Sequence, residues 1–216
     1  MRFPQTLAEV FLYRMTHVEN IPHILKYGVT SAASPNANPA YIPIGDSSLI
    51  SYRTDKYIQT IHGESIRLGQ FIPFYFGIRM PMLYVIQHGG NYVPTAVNPD
   101  QIIYVVVSLQ SLLNADINFY FTDGHATDAL TTTFDRSHID QLQMHIDWNA
   151  VTAKYWKGEG IDIDVKRRKQ AEFLIDGDIA TEHIAGYLCY SCYSSEKLAS
   201  FGIPRERIKI VPNAYF

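Results

Sequence analysis

The chain lacks several features that would assign it to a class at once. Its 216 residues include only two cysteines, Cys189 and Cys192, which are too few for a disulfide framework. No apolar run reaches the ~20 residues that a membrane-spanning helix needs. The opening residues, 1–9, lack the continuous apolar core of a secretory signal. We therefore expect a soluble, cytoplasmic protein with no membrane partner.

An excess of positive charge is also lacking. The 18 Lys and Arg residues are outnumbered by 21 Asp and Glu residues, which gives a formal net charge of −3. This balance excludes a partner held mainly by global positive charge, but it allows a local basic patch. Residues 166–169, Lys-Arg-Arg-Lys, form one such patch.

The common signatures of cofactor and metal sites are missing as well. The sequence has no P-loop and no G-x-G-x-x-G motif after a strand, so a dinucleotide would not be held in the Rossmann manner. Cys189 and Cys192 have C-x-x-C spacing, but no second ligand pair matches them, which favours two reduced thiols over a zinc site. The eight histidines show no metal-binding spacing. We expect no metal.

Hydrophobic residues make up 47% of the chain, enough for one core, and we expect a single monomeric domain over residues 1–216. Apolar runs predict strands at residues 10–15, 71–76, 102–109, 119–121, 171–175, 184–190 and 207–211. Capping and spacing signals predict short helices after Asn20 (closed by Gly28), after Asp46, from Pro81, over 126–134 and over 195–201. The sum is an α+β domain with a mostly β core.

The most informative segment is 166–175, whose second half predicts a buried strand. Side chains alternate across a strand, so Gln170, Glu172 and Leu174 share one face. A carboxylate at the start of such a strand is costly to bury without a partner or a task. Enzymes that attack the anomeric carbon of a ribose use a fixed carboxylate of this kind. The alternative is an edge-strand glutamate paired with Arg168 or Lys169.

Two other stretches place polar groups beside apolar runs. Residues 13–20 contain His17 at a strand-to-helix junction, where backbone N–H groups can hold an anion or an amide. A capping or core histidine is the alternative there. Residues 46–53 place Arg53 near the end of a short helix, where a surface arginine is the alternative.

Together these stretches resemble the DarT family of DNA ADP-ribosyltransferases, the toxins of bacterial toxin–antitoxin pairs. Six ordered segments carry the resemblance: residues 13–17 with Asn20; 48–50 leading to Arg53; 73–76 followed by Arg79 and 81–84; 121–126; 155–156; and 167–174. Met80 departs from the family pattern, and residues 31–43 match little.

The resemblance implies the ADP-ribosyltransferase fold, a split β-sandwich with NAD, the co-substrate, in a cleft between two sheets. It implies that Glu172 and Arg53 are catalytic. The implied cofactor-binding residues are Met15, Thr16, His17, Asn20, Ile24 and Arg53. Residues 31–53 would form a loop and short helix over NAD, and residues from about 125 to 172 a target-recognition loop.

The resemblance also implies the substrate, a base in single-stranded DNA, with thymine favoured over guanine. The implied DNA-binding residues are His125, Tyr155, Trp156, Lys166, Arg167 and Arg168. Core packing is an open alternative for Tyr155 and Trp156, as it is for Trp148. A DarG-like macrodomain antitoxin would be the protein partner. Because a fold does not fix a substrate, modification of RNA or protein, or an inactive single-strand-binding module, are the competing hypotheses.

Overall fold

The computed structural model describes residues 3–90, 93 and 95–216. Residues 1 and 2, which belong to the stretch in which no secretory signal is expected, lie outside the described residues, as do 91, 92 and 94. Among the described residues, no helix is both long enough and apolar enough to cross a membrane.

The residues that the structure describes form ten strands and eight short α-helices, and the apolar runs predict most of the strands. The strands are β1 Phe11–His17, β2 Tyr57–Gln59, β3 Ser65–Arg67, β4 Phe71–Tyr75, β5 Ile102–Ser108, β6 Phe119–Thr122, β7 Thr133–Phe134, β8 Glu172–Asp176, β9 Ile184–Cys189 and β10 Ile208–Ile210. The helices are α1 Ile21–Tyr27, α2 Ser47–Asp55, α3 Pro81–His88, α4 Leu109–Asn114, α5 Leu142–His145, α6 Trp148–Thr152, α7 Val165–Arg168 and α8 Cys192–Ser200.

Eight strands form one sheet in the order β10-β9-β5-β1-β4-β8-β6-β7, and β2 and β3 form a separate ribbon. The β9–β10 pair is parallel and the other pairs in the sheet are antiparallel. β1 pairs with β5 along its whole length, but it meets β4 at the single register position Tyr13↔Tyr75. The sheet therefore divides into two halves between β1 and β4, and this confirms the split arrangement.

The two faces of the divided sheet are packed differently. One face carries the principal core, to which Leu12, Phe74 and Phe173 contribute. The opposite face carries two smaller clusters, one around Tyr104 on the β1–β5 half and one around Leu174 on the β4–β8 half. Because cross-strand partners lie on the same face of a sheet, the space between the two smaller clusters is where a site can form.

Most predicted elements are present, with shifted ends. Gly28 ends α1 with φ 80°, a conformation that favours glycine, and its N–H donates to the Ile24 carbonyl at 2.8 Å. α8 begins at Cys192, earlier than predicted, because Ser191 and Ser194 form a capping box.

The helix predicted over 126–134 is wrong. Residues 127–130 form turns, and Thr133 and Phe134 form β7, which pairs with β6. Three threonines weaken the helical preference of this stretch, and the sheet supplies backbone partners that a short isolated helix cannot match.

Candidate active site

A buried ion pair lies at the start of β8. Glu172 is 0% exposed, and its carboxylate accepts hydrogen bonds from Arg53 Nη1 at 3.1 Å, Arg53 Nη2 at 2.8 Å and the Ala126 backbone N–H at 2.9 Å. β8 lies between β4 and β6, so it is an interior strand. The edge-strand alternative, with Arg168 or Lys169 as the partner, is therefore wrong, and a surface position for Arg53 is wrong as well.

Glu172 is ionised in this setting. Burial alone would raise the pKa of its carboxyl, but the charge of Arg53 and the hydrogen bonds from Arg53 and Ala126 hold the pKa below its usual range. The same pair raises the pKa of Arg53 against the effect of burial. A carboxylate that is buried, anionic and fixed by three donors is preorganised to stabilise positive charge that develops beside it.

Local contacts at both ends of α2 set the position of Arg53. The Asp46 carboxylate caps the helix by accepting the backbone N–H groups of Ser48 and Leu49 at 2.9 and 3.0 Å, as predicted. At the other end, a Cβ on Gly69 would lie 2.3 Å from the Thr54 carbonyl oxygen, so glycine lets the backbones approach closely. α2 buries none of its own residues, so its position depends on these contacts and on the Arg53–Glu172 pair.

Tyr75 also lies at the candidate site, and no role for it was predicted from the sequence. It pairs with Glu172 on β8 and with Tyr13 on β1, so Tyr13, Tyr75 and Glu172 form one row on the same face of the sheet. Burial and the neighbouring Glu172 raise the pKa of its hydroxyl far above the usual value, so the phenol stays neutral. Strand register is the only signal that would have found it, and the sequence does not contain the strand order.

His125 is next in sequence to Ala126, whose backbone N–H binds Glu172, so it also lies near the ion pair. Burial lowers the pKa of its imidazole below the usual 6.5, so the ring is neutral at neutral pH. Its Nδ1 lies 2.7 Å from the Thr127 hydroxyl, and its backbone N–H donates to the Arg167 carbonyl at 3.1 Å. The turn that carries His125 therefore also delivers the Ala126 N–H to Glu172.

The residues expected to bind the cofactor occupy the junction between β1 and α1. Asn20 precedes α1 as predicted, but its side chain makes no helix-capping bond. Instead its amide donates to Thr16 Oγ1 at 3.0 Å and to the Ile42 carbonyl at 2.9 Å, and it accepts from the Ile42 N–H at 2.9 Å. Asn20 thus fastens the segment expected to cover NAD onto the end of β1.

The other members of this group differ in exposure. His17 is partly exposed, and its Nδ1 accepts the Glu19 N–H at 3.2 Å, which confirms the capping alternative. Met15 packs partly buried against the Tyr104 cluster. Ile24 is only 6% exposed and belongs to the principal core. Their contacts with NAD stay predictions.

A cleft of about 920 Å³ opens beside this site. Four of the six residues expected to bind DNA line it: His125, Trp156, Lys166 and Arg167. Leu130 and Ile163, also on its wall, are 77% and 96% exposed. Carboxylates of Asp46, Asp128 and Asp164 lie there too, so the cleft is not uniformly positive.

The four side chains of the cationic run 166–169 differ in their partners and in their exposure. Arg167 forms a bidentate pair with Asp164 and a further bond to Asp123 at 3.0 Å, and Arg168 pairs with Asp147, Asp162 and Asp164. Lys169 is 1% exposed and donates to the Val151 carbonyl at 2.9 Å. Only Lys166 of the four is exposed.

Residues 125–172 form an ordered part of the domain, because Phe134, Leu142, Ile146 and Val151 lie in the principal core. Its longest stretch without a buried residue is 152–168. Trp148 packs edge-on against Phe76 at 5.9 Å, which confirms the core alternative for that residue. Trp156 contacts the rings of Tyr84 and Phe216, and Tyr155 is 63% exposed.

Comparison with solved structures identifies the class. The chain matches Thermus sp. 2.9 DarT in complex with ADP-ribosylated ssDNA with a TM-score of 0.81 and 25% identity, covering 100% of both chains. It matches the same Thermus protein in complex with NAD+ with a TM-score of 0.75, again at 25% identity over 100% of both chains. The fold is that of an ADP-ribosyltransferase.

The family follows from the sequence comparisons. The family model described as "ssDNA thymidine ADP-ribosyltransferase, DarT" matches residues 13–216. A DNA ADP-ribosyl transferase of Escherichia coli O127:H6 (strain E2348/69 / EPEC) is 30% identical over 184 residues, 85% of this chain and 81% of that protein. The chain belongs to the DarT family of DNA ADP-ribosyltransferases.

A third relative joins two activities. A DNA ADP-ribosyl transferase-DNA ADP-ribosyl glycohydrolase fusion protein of Thermosipho africanus (strain H17ap60334) is 26% identical over 213 residues, which are 95% of this chain and 48% of the fusion. This chain thus corresponds in extent to about half of the fusion protein.

Proposed function

We propose that this chain transfers ADP-ribose from NAD to a thymine base in single-stranded DNA, with Glu172 and Arg53 as its catalytic residues. The observation that carries the proposal is the anionic Glu172, wholly buried and held by Arg53 at the point where the two halves of the sheet meet. The complexes of the Thermus sp. 2.9 relative with NAD+ and with ADP-ribosylated ssDNA support the choice of both substrates.

The two carboxylate oxygens of Glu172 are not equivalent. Oε1 accepts from Arg53 and from Ala126, whereas one donor, Arg53 Nη2, reaches Oε2 among the described residues. Each carboxylate oxygen can accept two hydrogen bonds, so Oε2 retains the capacity for another donor. We assign Oε2 to the 2′-hydroxyl of the nicotinamide ribose, where the bond strengthens as positive charge grows on the sugar.

Nicotinamide is already a good leaving group, so the reaction needs no general acid at that end. The thymine ring nitrogen carries a proton and becomes a nucleophile only as that proton is withdrawn. As its bond to C1′ forms and the bond from C1′ to nicotinamide breaks, the proton would pass to the Glu172 carboxylate. The Arg53 guanidinium would stabilise the negative charge that develops on the base. Its own role is electrostatic, because the pKa of an arginine is too high for a base and Glu172 raises it further.

The target base must reach this site outside a duplex, since its Watson–Crick edge is otherwise paired. The cleft lined by His125, Trp156 and Lys166 would receive the strand. Its exposed apolar side chains favour stacking and packing against bases over phosphate contacts. The neutral His125, next to Glu172 and Arg53, would contact the base itself.

A toxin of this activity requires a partner that removes the modification. The fusion of a transferase to a glycohydrolase in the Thermosipho relative supports a macrodomain glycohydrolase of the DarG type as that partner. The segment fastened by Asn20 to β1 would cover NAD, and the domain would act as a monomer.

The test is incubation of the protein with NAD and a panel of oligonucleotides that differ in base composition, followed by mass spectrometry. We expect a gain of one ADP-ribosyl group on single-stranded oligonucleotides that contain thymine, and none on duplexes. Glu172→Gln, which keeps the shape and removes the charge, should slow the reaction ~10²-fold or more. Glu64→Gln, at an exposed carboxylate bonded to Tyr120, is the matched control and should retain activity.

The panel also separates the competing hypotheses. Adducts on guanine-only strands, on RNA or on protein would replace the proposed substrate, and DNA binding without NAD consumption would indicate an inactive binding module. An unmodified panel, or full activity in Glu172→Gln, would overturn the assignment.

A further inference from the structure

Three side chains with metal-binding atoms converge at the β7 edge of the sheet. His62 lies in the turn between β2 and β3, Asp135 directly follows β7, and His138 lies in the 3-10 helix Arg136–Gln141 that comes next. The ligand atoms of the three all lie within 4.8 Å of one another. His62 Nε2 is 3.4 Å from Asp135 Oδ2, and His138 Nδ1 is 3.2 Å from Asp135 Oδ1.

Backbone hydrogen bonds hold the two contributing segments together. The Ile61 N–H donates to the Thr133 carbonyl at 2.8 Å, and Thr60 and Thr133 form an isolated parallel bridge. The Asp135 carboxylate is fixed by the Ser137 N–H at 2.9 Å and by the Ser137 hydroxyl at 2.5 Å. The donors are therefore brought together by the fold itself, and the entropic cost of assembling a site is largely met in advance.

We propose that His62, Asp135 and His138 bind a divalent transition metal ion of the zinc type. Two imidazole nitrogens and one carboxylate oxygen are a typical ligand set for zinc with a fourth, open position. Zinc–ligand bonds of ~2.0–2.2 Å in tetrahedral geometry separate the ligand atoms by about 3.3 Å. The three ligand atoms lie within 4.8 Å of one another, and the contacts of 3.4 and 3.2 Å run to different oxygens of Asp135. Small side-chain movements would bring one oxygen and the two nitrogens to this separation. Imidazole ligands disfavour magnesium and calcium, which prefer oxygen.

The surroundings of His138 support the proposal independently. Its ring packs against Phe134 at 5.7 Å and against His145 at 5.8 Å, so its position is restricted. His145 stacks on Phe134 at 4.0 Å, and its buried Nε2 has no hydrogen-bond partner among the described residues. An unpaired buried ring nitrogen is costly without a ligand, and His145 adds a third imidazole next to the two proposed histidine ligands.

The ion would tie the β2–β3 ribbon to the edge of the sheet. β2 begins at Tyr57, directly after α2, the helix that carries Arg53. A metal cross-link there would reinforce the position of α2, which buries none of its own residues. The role of the ion is structural and separate from the reaction at Glu172. The proposed metal site therefore does not depend on the proposed function. The histidine spacing did not predict it, because the turn that carries His62 is distant in sequence from Asp135.

Titration of the tag-free, chelator-treated full chain with zinc, followed by calorimetry and thermal unfolding, tests the site. We expect one ion per chain with micromolar or tighter affinity, and a rise in Tm of about 5 to 10 °C when zinc is a hundredfold above Kd. Cobalt should give the visible absorption of a tetrahedral site. His62→Ala and His138→Ala should weaken zinc binding by about 100-fold. The control is His88→Ala, at an exposed histidine outside the cluster, and it should bind as the wild type does.

His62 is exposed, so its removal leaves the fold intact even if His138→Ala proves unstable. Wild-type protein with no zinc affinity better than millimolar would overturn the proposal. So would wild-type affinity in His62→Ala, or equal losses in His62→Ala and His88→Ala.

Discussion

Glu172 and the basic run 166–169 are close in sequence, but their charges are used differently in the fold. Glu172 is wholly buried, and hydrogen bonds from Arg53 and from the Ala126 N–H hold its charged carboxylate in the candidate site. The run 166–169, a few residues earlier, looks like a phosphate-binding patch, but Arg167 and Arg168 are committed to aspartates and Lys169 is buried. The number of charges in a segment therefore says little about the charge it offers to a ligand.

The two regions are nevertheless linked through one turn. The Arg167 guanidinium packs against Gly124, where an added Cβ would lie 2.5 Å from Nη1. The Arg167 carbonyl accepts the His125 N–H, and the next N–H along the chain, that of Ala126, binds Glu172. Arg167 of the basic run thus holds the turn that binds Glu172, and a side chain used in this way is less available for the proposed contact with DNA.

The largest expected effect comes from breaking the buried pair. Arg53→Met leaves Glu172 buried without its charge partner, which should cost about 3 to 5 kcal/mol of folding free energy and abolish transfer. Urea denaturation and the oligonucleotide assay measure the two effects. Arg67→Met, at an exposed arginine on β3, is the control and should change neither. A loss of less than ~1 kcal/mol in Arg53→Met would mean that the pair is solvated.

A smaller effect should follow from a substitution at Gly124, in the turn that connects Arg167 to Glu172. Gly124→Ala forces Arg167 away from the turn, and overpacking of this kind costs about 1 to 3 kcal/mol. Activity should fall as well, because the displaced turn carries the Ala126 N–H away from Glu172. At Gly45 an added Cβ meets Ile50 at 3.4 Å, an ordinary contact, so Gly45→Ala should leave the stability unchanged. Equal stability of the two variants would break the proposed link.

The burial of Lys169 should appear in the pH dependence of stability. Burial lowers the pKa of its ammonium group from 10.5 to about 8, so between these values the unfolded chain binds the proton that the folded chain has released. Stability of the wild type relative to Lys169→Met should therefore rise between pH 8 and 10, by up to ~3 kcal/mol in total. Thermal unfolding of both proteins across this range measures it. Parallel curves would show that Lys169 reaches solvent.

The smallest effect should distinguish the exposed lysine from the buried one. Removal of one phosphate contact lowers the slope of log affinity against log salt for single strands by about 0.7. We expect this change for Lys166→Ala and no change for Lys169→Met, measured by fluorescence anisotropy of a labelled oligonucleotide. The same slope in Lys166→Ala as in the wild type would mean that the run makes no phosphate contact at all.

Most strands were predictable because alternating and continuous apolar patterns are local. The start of α2 was predictable from Asp46, although the helix has no apolar face. The helix over 126–134 was wrong because pairing with β6 outweighs a weak local preference. The role of Tyr75 was missed because it follows from the neighbours of β4, and those neighbours are β1 and β8, from distant parts of the chain.

By itself the sequence determined where most strands form and to which family the chain belongs, and it singled out Glu172 and Arg53 as candidates, because these depend on residue types and on spacing along the chain. Tertiary structure alone decided that Arg53 faces Glu172 across 119 residues, that three of four consecutive cations are used internally, and that His62 meets Asp135. Ion pairs and metal sites form between side chains that are close in space. Strand order sets which side chains are close, and no local sequence pattern encodes strand order.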